Sequence, residues 1–201
     1  MNEELLLQLV EMLQVSLNDE ISAAVFYTRA AYNLEGAGSA NISKELKEHA
    51  DDEYRHFGLL VNFASNYGLM ERLTISFEEE TNFLPINDPQ VVLQKVQSLE
   101  TEAAETYKKM AMICKELEIV DGCELFKQLV VEELEHFDDL SYVLGQKRSL
   151  VPQTEQEQLV DSQLADATEP AVDQDQSEGE MQEESENDVN QVAAKILLEK
   201  L

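Results

Sequence analysis

The sequence predicts an all-α protein, a four-helix bundle with a long crossover between helices 2 and 3, followed by an acidic C-terminal tail. Three features of the 201-residue chain predict this fold. Four long stretches before residue 148 suit helices. Short glycine-containing segments join the first stretch to the second and the third to the fourth. The join between the second and third is long, contains prolines and lacks helical periodicity.

Capping residues predict where the helices begin and end. Helix 1 is predicted over residues 2–35 and stops at Gly36. Helix 2 is predicted from candidate caps at residues 39–41 as far as Gly68. After the crossover at residues 69–87, helix 3 is predicted over residues 88–117, because an aspartate N-cap followed by a proline is a favourable helix start. Helix 4 is predicted from a turn at residues 121–122 to residue 145.

Composition divides the chain near residue 150. Residues 1–148 contain every aromatic residue, whereas residues 151–190 contain 13 Asp or Glu and no Lys or Arg. We therefore predict a folded bundle over residues 1–148 and a disordered acidic linker over residues 149–188. Residues 189–201 regain apolar residues at helical spacing, which predicts a short amphipathic helix for docking on a partner or for oligomerisation. The alternative is a solubilising extension whose end helix packs back on the bundle.

Net charge excludes several classes of partner. The formal charge of −28 disfavours nucleic acid, because binding to phosphates depends on Lys and Arg. No apolar run is long enough for a membrane span, and the first residues lack the basic segment of a signal peptide. We therefore expect a cytoplasmic protein, either free or inside a protein shell within the cytoplasm.

Cys114 and Cys123 form no Cys-x-x-Cys pair, and we expect reduced core thiols.

One pattern of acidic residues and histidines occurs twice, and all its members recur at one constant interval along the chain. Each copy contains a lone Glu and, at the same distance further along in both copies, a Glu-x-x-His motif. The six residues are Glu20, Glu53 and His56 in the first copy and Glu100, Glu133 and His136 in the second. A single Glu-x-x-His is more often a pair on a solvated helix face. Two copies with identical spacing instead match the ligand set of a dinuclear site in a helix bundle.

The chemistry of these residues suits iron or manganese. Residues three apart on a helix share a face, so each Glu-x-x-His can present a carboxylate and an imidazole to the same ion. A carboxylate and imidazole site without thiolates suits iron, with manganese as the alternative. Four carboxylates balance two divalent cations, whereas without metal they would repel one another and be costly to desolvate. The sequence therefore predicts two bound metal ions, iron (two Fe ions) with manganese possible.

Two further residue types lie near the predicted site. Tyr27 and Tyr107 each follow the lone Glu of their copy by two helical turns, on the same helix face. They either pack in the core with the hydroxyl bonded to a neighbouring ligand or take part in redox chemistry, and Tyr27 is included among the candidate catalytic residues on that second interpretation. His49 has no counterpart at position 129, which is Leu, so we expect a structural or partly exposed residue.

Residues 1–148 resemble the ferritin-like superfamily, most closely bacterioferritins and rubrerythrin-type di-iron proteins. Residues 17–27 are similar to the first ferroxidase helix of bacterioferritin, and residues 53–56 to the second. The long crossover between two short turns is also typical of ferritin-like folds. The resemblance implies terminal ligands at Glu20 and Glu100 and bridging ligands at Glu53 and Glu133. It also implies that His56 and His136 each cap one metal.

The resemblance further implies that the protein oxidises Fe(II) with O2 or peroxide, for iron storage, detoxification or protection against oxidative stress. It implies a homo-oligomer, a dimer or larger. Tyr54 stands where haem-carrying bacterioferritins have Met, so we expect no haem. Two other functions remain open. One is a di-iron oxidase or oxygenase of an organic substrate, which needs an apolar channel to the metals. The other is a cargo or structural component of a shell or capsid, docked through residues 189–201.

Overall fold

The computed structural model describes residues 2–36, 39–76 and 87–143. These ranges contain four long helices and one 3₁₀ turn, and no strand occurs within them. The elements are α1 Glu3–Gly36, α2 Ala40–Asn66, the 3₁₀ turn Met70–Arg72, α3 Pro89–Glu116 and α4 Val120–Val143. The predicted four-helix bundle is therefore confirmed. The linker predicted over residues 149–188 and the helix predicted over residues 189–201 lie outside the described residues and stay predictions.

The bundle core consists of two apolar clusters separated by a polar layer. Each helix contributes residues to both clusters. Taken from α1 to α4, one example per helix is Leu17, Leu60, Tyr107 and Leu129 in the first cluster and Tyr27, Leu46, Val96 and Leu140 in the second. Helices α1 and α4 run from the first cluster to the second, whereas α2 and α3 run from the second to the first. Because α2 and α3 point the same way, their connection must travel the length of the bundle, as the predicted crossover does.

The bundle consists of two helical hairpins. Helix α1 packs mainly against α2 and α3 against α4, while contacts between the hairpins are made chiefly by α1 with α3. The start of the crossover is attached to α1, since Gln14 bonds the backbone of Thr74 in both directions and Asn18 accepts the N–H of Ser76. No helix of the described residues is long and apolar enough to cross a membrane.

The helix ends confirm some capping predictions and correct one. The Asp88 carboxylate accepts the backbone N–H groups of Gln90 and Val91, as predicted for the N-cap of α3. Ser39 is the N-cap of α2, but its side chain makes no capping hydrogen bond. Gly68 follows α2 in the left-handed region at φ 64°, where glycine meets no steric penalty.

The turn predicted at residues 121–122 was misplaced. Helix α3 ends at Glu116, and the left-handed residue of the turn is Glu118 at φ 60°. The N–H of Ile119 bonds the carbonyl of Cys114, which closes the same type of turn that follows α2. Gly122 instead lies in the first turn of α4 and is buried. Glycine is needed at this position because a side chain would not fit, and not because the chain reverses direction there.

We expect Gly122→Ala to destabilise the protein by about 1–3 kcal/mol, because the added methyl overpacks the first apolar cluster. A Cβ at residue 122 would lie 2.8 Å from side-chain atoms of Ile119 and Phe63 and 2.9 Å from the Cys114 sulfur. Gly58→Ala is the matched control, because a Cβ there meets nothing within 4 Å and alanine is the better helix former. Urea denaturation should give opposite signs for the two variants, and equal effects would contradict this explanation of Gly122.

Candidate metal centre

The six repeated residues meet in the polar layer between the two apolar clusters. Glu20 comes from α1, Glu53 and His56 from α2, Glu100 from α3, and Glu133 and His136 from α4. Each is buried, with exposed fractions from 0 % for His56 and Glu133 to 7 % for His136. Helical periodicity explains the convergence, since the two members of each Glu-x-x-His lie one turn apart on the inward face.

The six side chains form two overlapping groups, each suited to one ion. One group is Glu20, Glu53, His56 and Glu133, and the other is Glu53, Glu100, Glu133 and His136. Within each group the candidate ligand atoms lie within 4.8 Å of one another.

Both motif glutamates are shared between the two groups. Glu53 directs Oε2 to His56 Nδ1 at 3.2 Å and Oε1 to His136 Nδ1 at 3.5 Å. Glu133 directs Oε1 to His56 Nδ1 at 2.9 Å and Oε2 to His136 Nδ1 at 3.6 Å. The carboxylates of Glu20 and Glu100 each approach one imidazole, at 3.6 Å. Two carboxylates therefore span both groups, and one carboxylate lies at each end.

The donor atoms of this layer fit metal ions. Several buried atoms have no hydrogen-bond partner, namely one oxygen each of Glu20, Glu53 and Glu100, both oxygens of Glu133, and Nδ1 of His136. Buried polar atoms left unpaired are costly, so their concentration at one level of the bundle calls for a ligand. Carboxylate oxygens and imidazole nitrogens without sulfur are the donors that iron and manganese accept. Two divalent ions would also balance the charge of four buried carboxylates.

The protonation of the metal-free site follows from the same contacts. Burial, followed by the Glu53 carboxylate, raises the pKa of Glu20 and of Glu100. Burial acts on Glu53 and Glu133 as well, but contacts with His136 and His56 outweigh it and hold both carboxyl pKa values below their usual range.

Burial shifts the pKa of the two histidines in the opposite direction to that of a carboxyl group, because it disfavours the charged imidazolium form. Burial alone would lower the pKa of His56 and His136, yet the surrounding carboxylates raise both pKa values above the ordinary one. In the metal-free site these shifts favour the neutral form of Glu20 and Glu100, the ionised form of Glu53 and Glu133 and the imidazolium form of both histidines, and the formal charges of these forms sum to zero. Two divalent ions with four carboxylates also sum to zero, so metal can replace protons without a net change in charge.

The outward nitrogens of the two site histidines contact a second pair of carboxylates, which is absent from the predicted ligand set. His56 Nε2 lies 2.8 Å from Glu132 Oε2, and His136 Nε2 lies 3.5 Å from Asp52 Oδ2. Arg55 binds both acids, at 2.9 Å and 3.0 Å. Each acid belongs to the hairpin opposite its histidine. Carboxylates in this position fix the ring orientation of a ligand histidine and make it a better donor.

A sequence signal for these acids was present. Asp52 and Glu132 each directly precede the Glu of a Glu-x-x-His, and they are separated by the same interval as the repeated ligands. The contact with His136 lowers the pKa of Asp52 to about 2. Burial opposes the ionised form of Glu132, but contacts with His56 and its neighbours still lower its pKa to about 2. Both acids are therefore anionic at neutral pH.

The two repeated tyrosines lie close to the lone glutamates of the opposite hairpin. The Tyr107 hydroxyl donates to the Glu20 carboxylate. Tyr27 is fully buried, and burial, followed by the Glu100 carboxylate, raises the pKa of its hydroxyl. Each tyrosine thus faces the lone glutamate of the other copy rather than that of its own helix. Both stay protonated at neutral pH, and Tyr107 serves as a buried donor to Glu20, whereas the Tyr27 hydroxyl is buried without a hydrogen-bond partner.

His49 is buried, which agrees with the structural alternative of the two expectations and not with the partly exposed one. Its exposed fraction is 3 %, and its ring stacks on that of His136 with centroids 4.3 Å apart and planes inclined by 23°. Burial, followed by the proximity of His136, lowers the pKa of His49 to about 3, so the ring is neutral at neutral pH. The repeat carries no signal for this position, since the second copy has Leu129 there.

A cavity of about 550 Å³ connects the surface to the site between α1 and α3. Seven acidic side chains line it against two lysines, Lys95 and Lys109. The acids near the surface are Asp19, Glu102 and Glu105, and those at the inner end are Glu20, Glu53, Glu100 and Glu133. Such a wall attracts cations and concentrates them beside the buried candidate ligands.

Comparison with known proteins agrees with this architecture. Two solved structures of PmFTN variants, one soaked in iron for 3 h and the other overnight, have the same fold, each with a TM-score of 0.57. They are 14 % and 13 % identical to this chain, and each match covers 69 % of this chain and 87 % of the other. No curated protein gives a significant match. The family described as ferritin-like domain matches residues 10–150, and the chain therefore belongs to the ferritin-like domain family.

Proposed function

We propose that this protein is a ferroxidase that binds two Fe(II) ions in the polar layer of its bundle and oxidises them with O2 or peroxide. The observation that carries the proposal is the pair of overlapping ligand groups that share Glu53 and Glu133. Shared carboxylates hold two ions close together, which is the arrangement needed for a reaction in which each ion supplies one electron. Membership of the ferritin-like domain family supports the same assignment.

The roles of the individual side chains in this reaction follow from the described contacts. Glu53 and Glu133 would bridge the ions, Glu20 and Glu100 would bind at the two ends, and His56 and His136 would each bind one ion through Nδ1. Asp52 and Glu132 hold the two imidazoles in place through Nε2. Tyr107 positions the Glu20 carboxylate through its hydrogen bond, and Tyr27 lies beside Glu100. In balance, two Fe(II) lose one electron each, and O2 with two protons becomes H2O2.

The charge of the cavity favours Fe(II) itself as substrate over an organic molecule. An oxidase or oxygenase of an apolar substrate needs an apolar passage to the metals. Here the passage contains seven acidic side chains and two lysines, although Val15, Ala23 and Leu99 supply some apolar wall. We also propose iron over manganese as the metal, because at equal availability a given nitrogen and oxygen site binds Fe(II) more tightly than Mn(II).

Oxygen uptake by the full-length protein tests the proposal. We expect anaerobic protein to bind two Fe(II) per chain and then, on mixing with air-saturated buffer, to consume about one O2 for every two Fe(II) without any organic additive. Repeated additions of Fe(II) should give repeated uptake. Uptake that requires an organic co-substrate would support the oxygenase alternative, and binding of one Fe(II) or none would exclude the dinuclear reaction.

A further inference from the structure

A single arginine joins the two acids that contact the outward nitrogens of the site histidines. Arg55 Nη2 donates to Glu132 Oε2 at 2.9 Å and to Asp52 Oδ1 at 3.0 Å, and Arg55 Nε lies 3.3 Å from the same Asp52 oxygen. The other oxygen of Asp52 faces His136 Nε2, and Glu132 Oε2 also faces His56 Nε2. One guanidinium is therefore linked to both imidazoles, to each of them through one carboxylate.

The repeated pattern supplies this arginine only once. At the constant interval of the repeat, the second copy has Glu135 where the first has Arg55. The acids on the two sides of the site, Asp52 and Glu132, therefore share one guanidinium. A change at Arg55 acts on both halves of the centre at once.

The contacts of Glu132 hold His56 with its other nitrogen towards the site. An imidazole that binds a metal through Nδ1 has its proton on Nε2 and donates it there. His56 Nε2 and Arg55 Nη2 then both donate to Glu132 Oε2, and the two nitrogens lie 3.3 Å apart because they share this acceptor. Gln128 donates to the other carboxylate oxygen, at 2.9 Å. The Glu132 carboxylate is thus held by three donors.

The ion pairs of Arg55 contribute little to the stability of the fold. The side chains of Arg55 and Asp52 are 43 % and 40 % exposed, and that of Glu132 is 21 % exposed. Ion pairs this open to water are weak, because solvent screens the charges and ordering two long side chains costs entropy. The main consequence of the arrangement therefore lies at the two histidine rings that the acids orient.

We propose that Arg55 is a positioning residue of the dinuclear centre, which through Asp52 and Glu132 holds both imidazoles with Nδ1 towards ions that it does not itself touch. The inference rests on the dinuclear site of the proposed function but not on the oxidation reaction.

Orientation and charge predict opposite effects of removing Arg55. A guanidinium close to two metal ions repels them, so a purely electrostatic role would give tighter metal binding once the charge is gone. Loss of orientation gives weaker binding, because the imidazoles are no longer held in place for the ions. The sign of the change in metal affinity therefore distinguishes the two roles.

Titration of the full-length protein with Co(II) measures this sign, because the absorbance of bound Co(II) reports its ligands. We expect Arg55→Gln to lower at least one of the two Co(II) affinities by about 10-fold or more and to change the Co(II) spectrum. Arg55→Lys keeps the charge and one donor nitrogen, so its affinities should lie between those of Arg55→Gln and the wild type. The matched control is Arg72→Gln, which removes the same charge from an exposed side chain in the 3₁₀ turn. It should bind Co(II) as the wild type does.

A double-mutant cycle tests whether Arg55 acts through the two acids. In the background Asp52→Asn/Glu132→Gln, the further change Arg55→Gln should alter the Co(II) affinities by less than about twofold, because the side chains that transmit its effect are already replaced. Metal-free Arg55→Gln should unfold at nearly the wild-type urea concentration, since its ion pairs are exposed.

Two results would overturn the positioning role of Arg55 and leave the dinuclear site standing. One is a set of Co(II) affinities in Arg55→Gln that equal or exceed those of the wild type. The other is a loss of the same size when both acids have already been replaced. A wild type that binds fewer than two Co(II) per chain would overturn the dinuclear site itself, and the role of Arg55 with it.

Discussion

Replacing Glu133 by alanine is expected to abolish fast oxidation of Fe(II), with a fall in the initial rate of about 100-fold or more. Both Glu133 oxygens are buried without hydrogen-bond partners, and each faces the Nδ1 atom of a different histidine. The substitution therefore removes a donor from both ion positions at once. Stopped-flow mixing of Fe(II)-loaded protein with O2 measures the effect, with anaerobic titration in parallel to count the ions bound.

Glu124→Ala is the control for that experiment. It makes the same chemical change on the same helix, at a side chain that is 69 % exposed and pairs only loosely with Lys127 at 3.3 Å. Rate and stoichiometry should stay at wild-type values in this variant. A Glu133→Ala protein that folds, binds two ions and oxidises them at the wild-type rate would show that the reaction takes place elsewhere.

Glutamine at two site positions is expected to change the stability of the metal-free protein in opposite directions. At pH 8, Glu53→Gln should lower the free energy of unfolding by about 3 kcal/mol, because it leaves buried imidazolium ions without their closest carboxylate. Glu100→Gln should raise it by about 1 kcal/mol, because the pKa of Glu100 is raised and glutamine resembles the neutral carboxyl that the fold prefers.

The pH dependence of these differences has a definite sign. A carboxyl group whose pKa is raised by folding stabilises the protein at pH values below its unfolded pKa, near 4.3. That stabilisation is lost as the pH rises through the folded pKa. The advantage of Glu100→Gln should therefore shrink between pH 8 and pH 5. The lowered pKa of Glu53 contributes stability that is lost only as the pH falls below about 4, so the deficit of Glu53→Gln should persist at pH 5. Urea denaturation in the presence of chelator measures both, and equal effects of the two variants would contradict the assigned protonation.

The sequence was sufficient to predict the bundle and the meeting of the six candidate ligand residues. Helical spacing fixes which residues share a face, and the repetition of the ligand pattern at a constant interval places the same face inward in both hairpins. The Asp88 cap likewise depends on residues adjacent in the chain. Such local rules require no knowledge of how the hairpins pack.

Features that depend on contacts between helices could not be predicted in the same way. The pairing of Asp52 with His136 and of Glu132 with His56 joins opposite hairpins, although the repeated acid before each motif was visible. The stacking of His49 on His136 depends on the separation of α2 and α4.

The misplaced turn after α3 has a related cause. Gly122 suggested a chain reversal, whereas the left-handed position holds Glu118. Side chains from α2 and from the end of α3 approach Gly122 closely, so packing rather than backbone freedom requires the glycine. Local sequence rules treat every glycine as a candidate turn and cannot distinguish the two reasons.

Anomalous diffraction from crystals soaked anaerobically with Fe(II) tests the dinuclear centre most directly. We expect two iron peaks in the polar layer, about 3.5–4 Å apart. One should lie among Glu20, Glu53, His56 and Glu133, and the other among Glu53, Glu100, Glu133 and His136. A single peak in that layer, or iron bound only at other residues, would contradict the dinuclear centre and the ferroxidase function proposed for it.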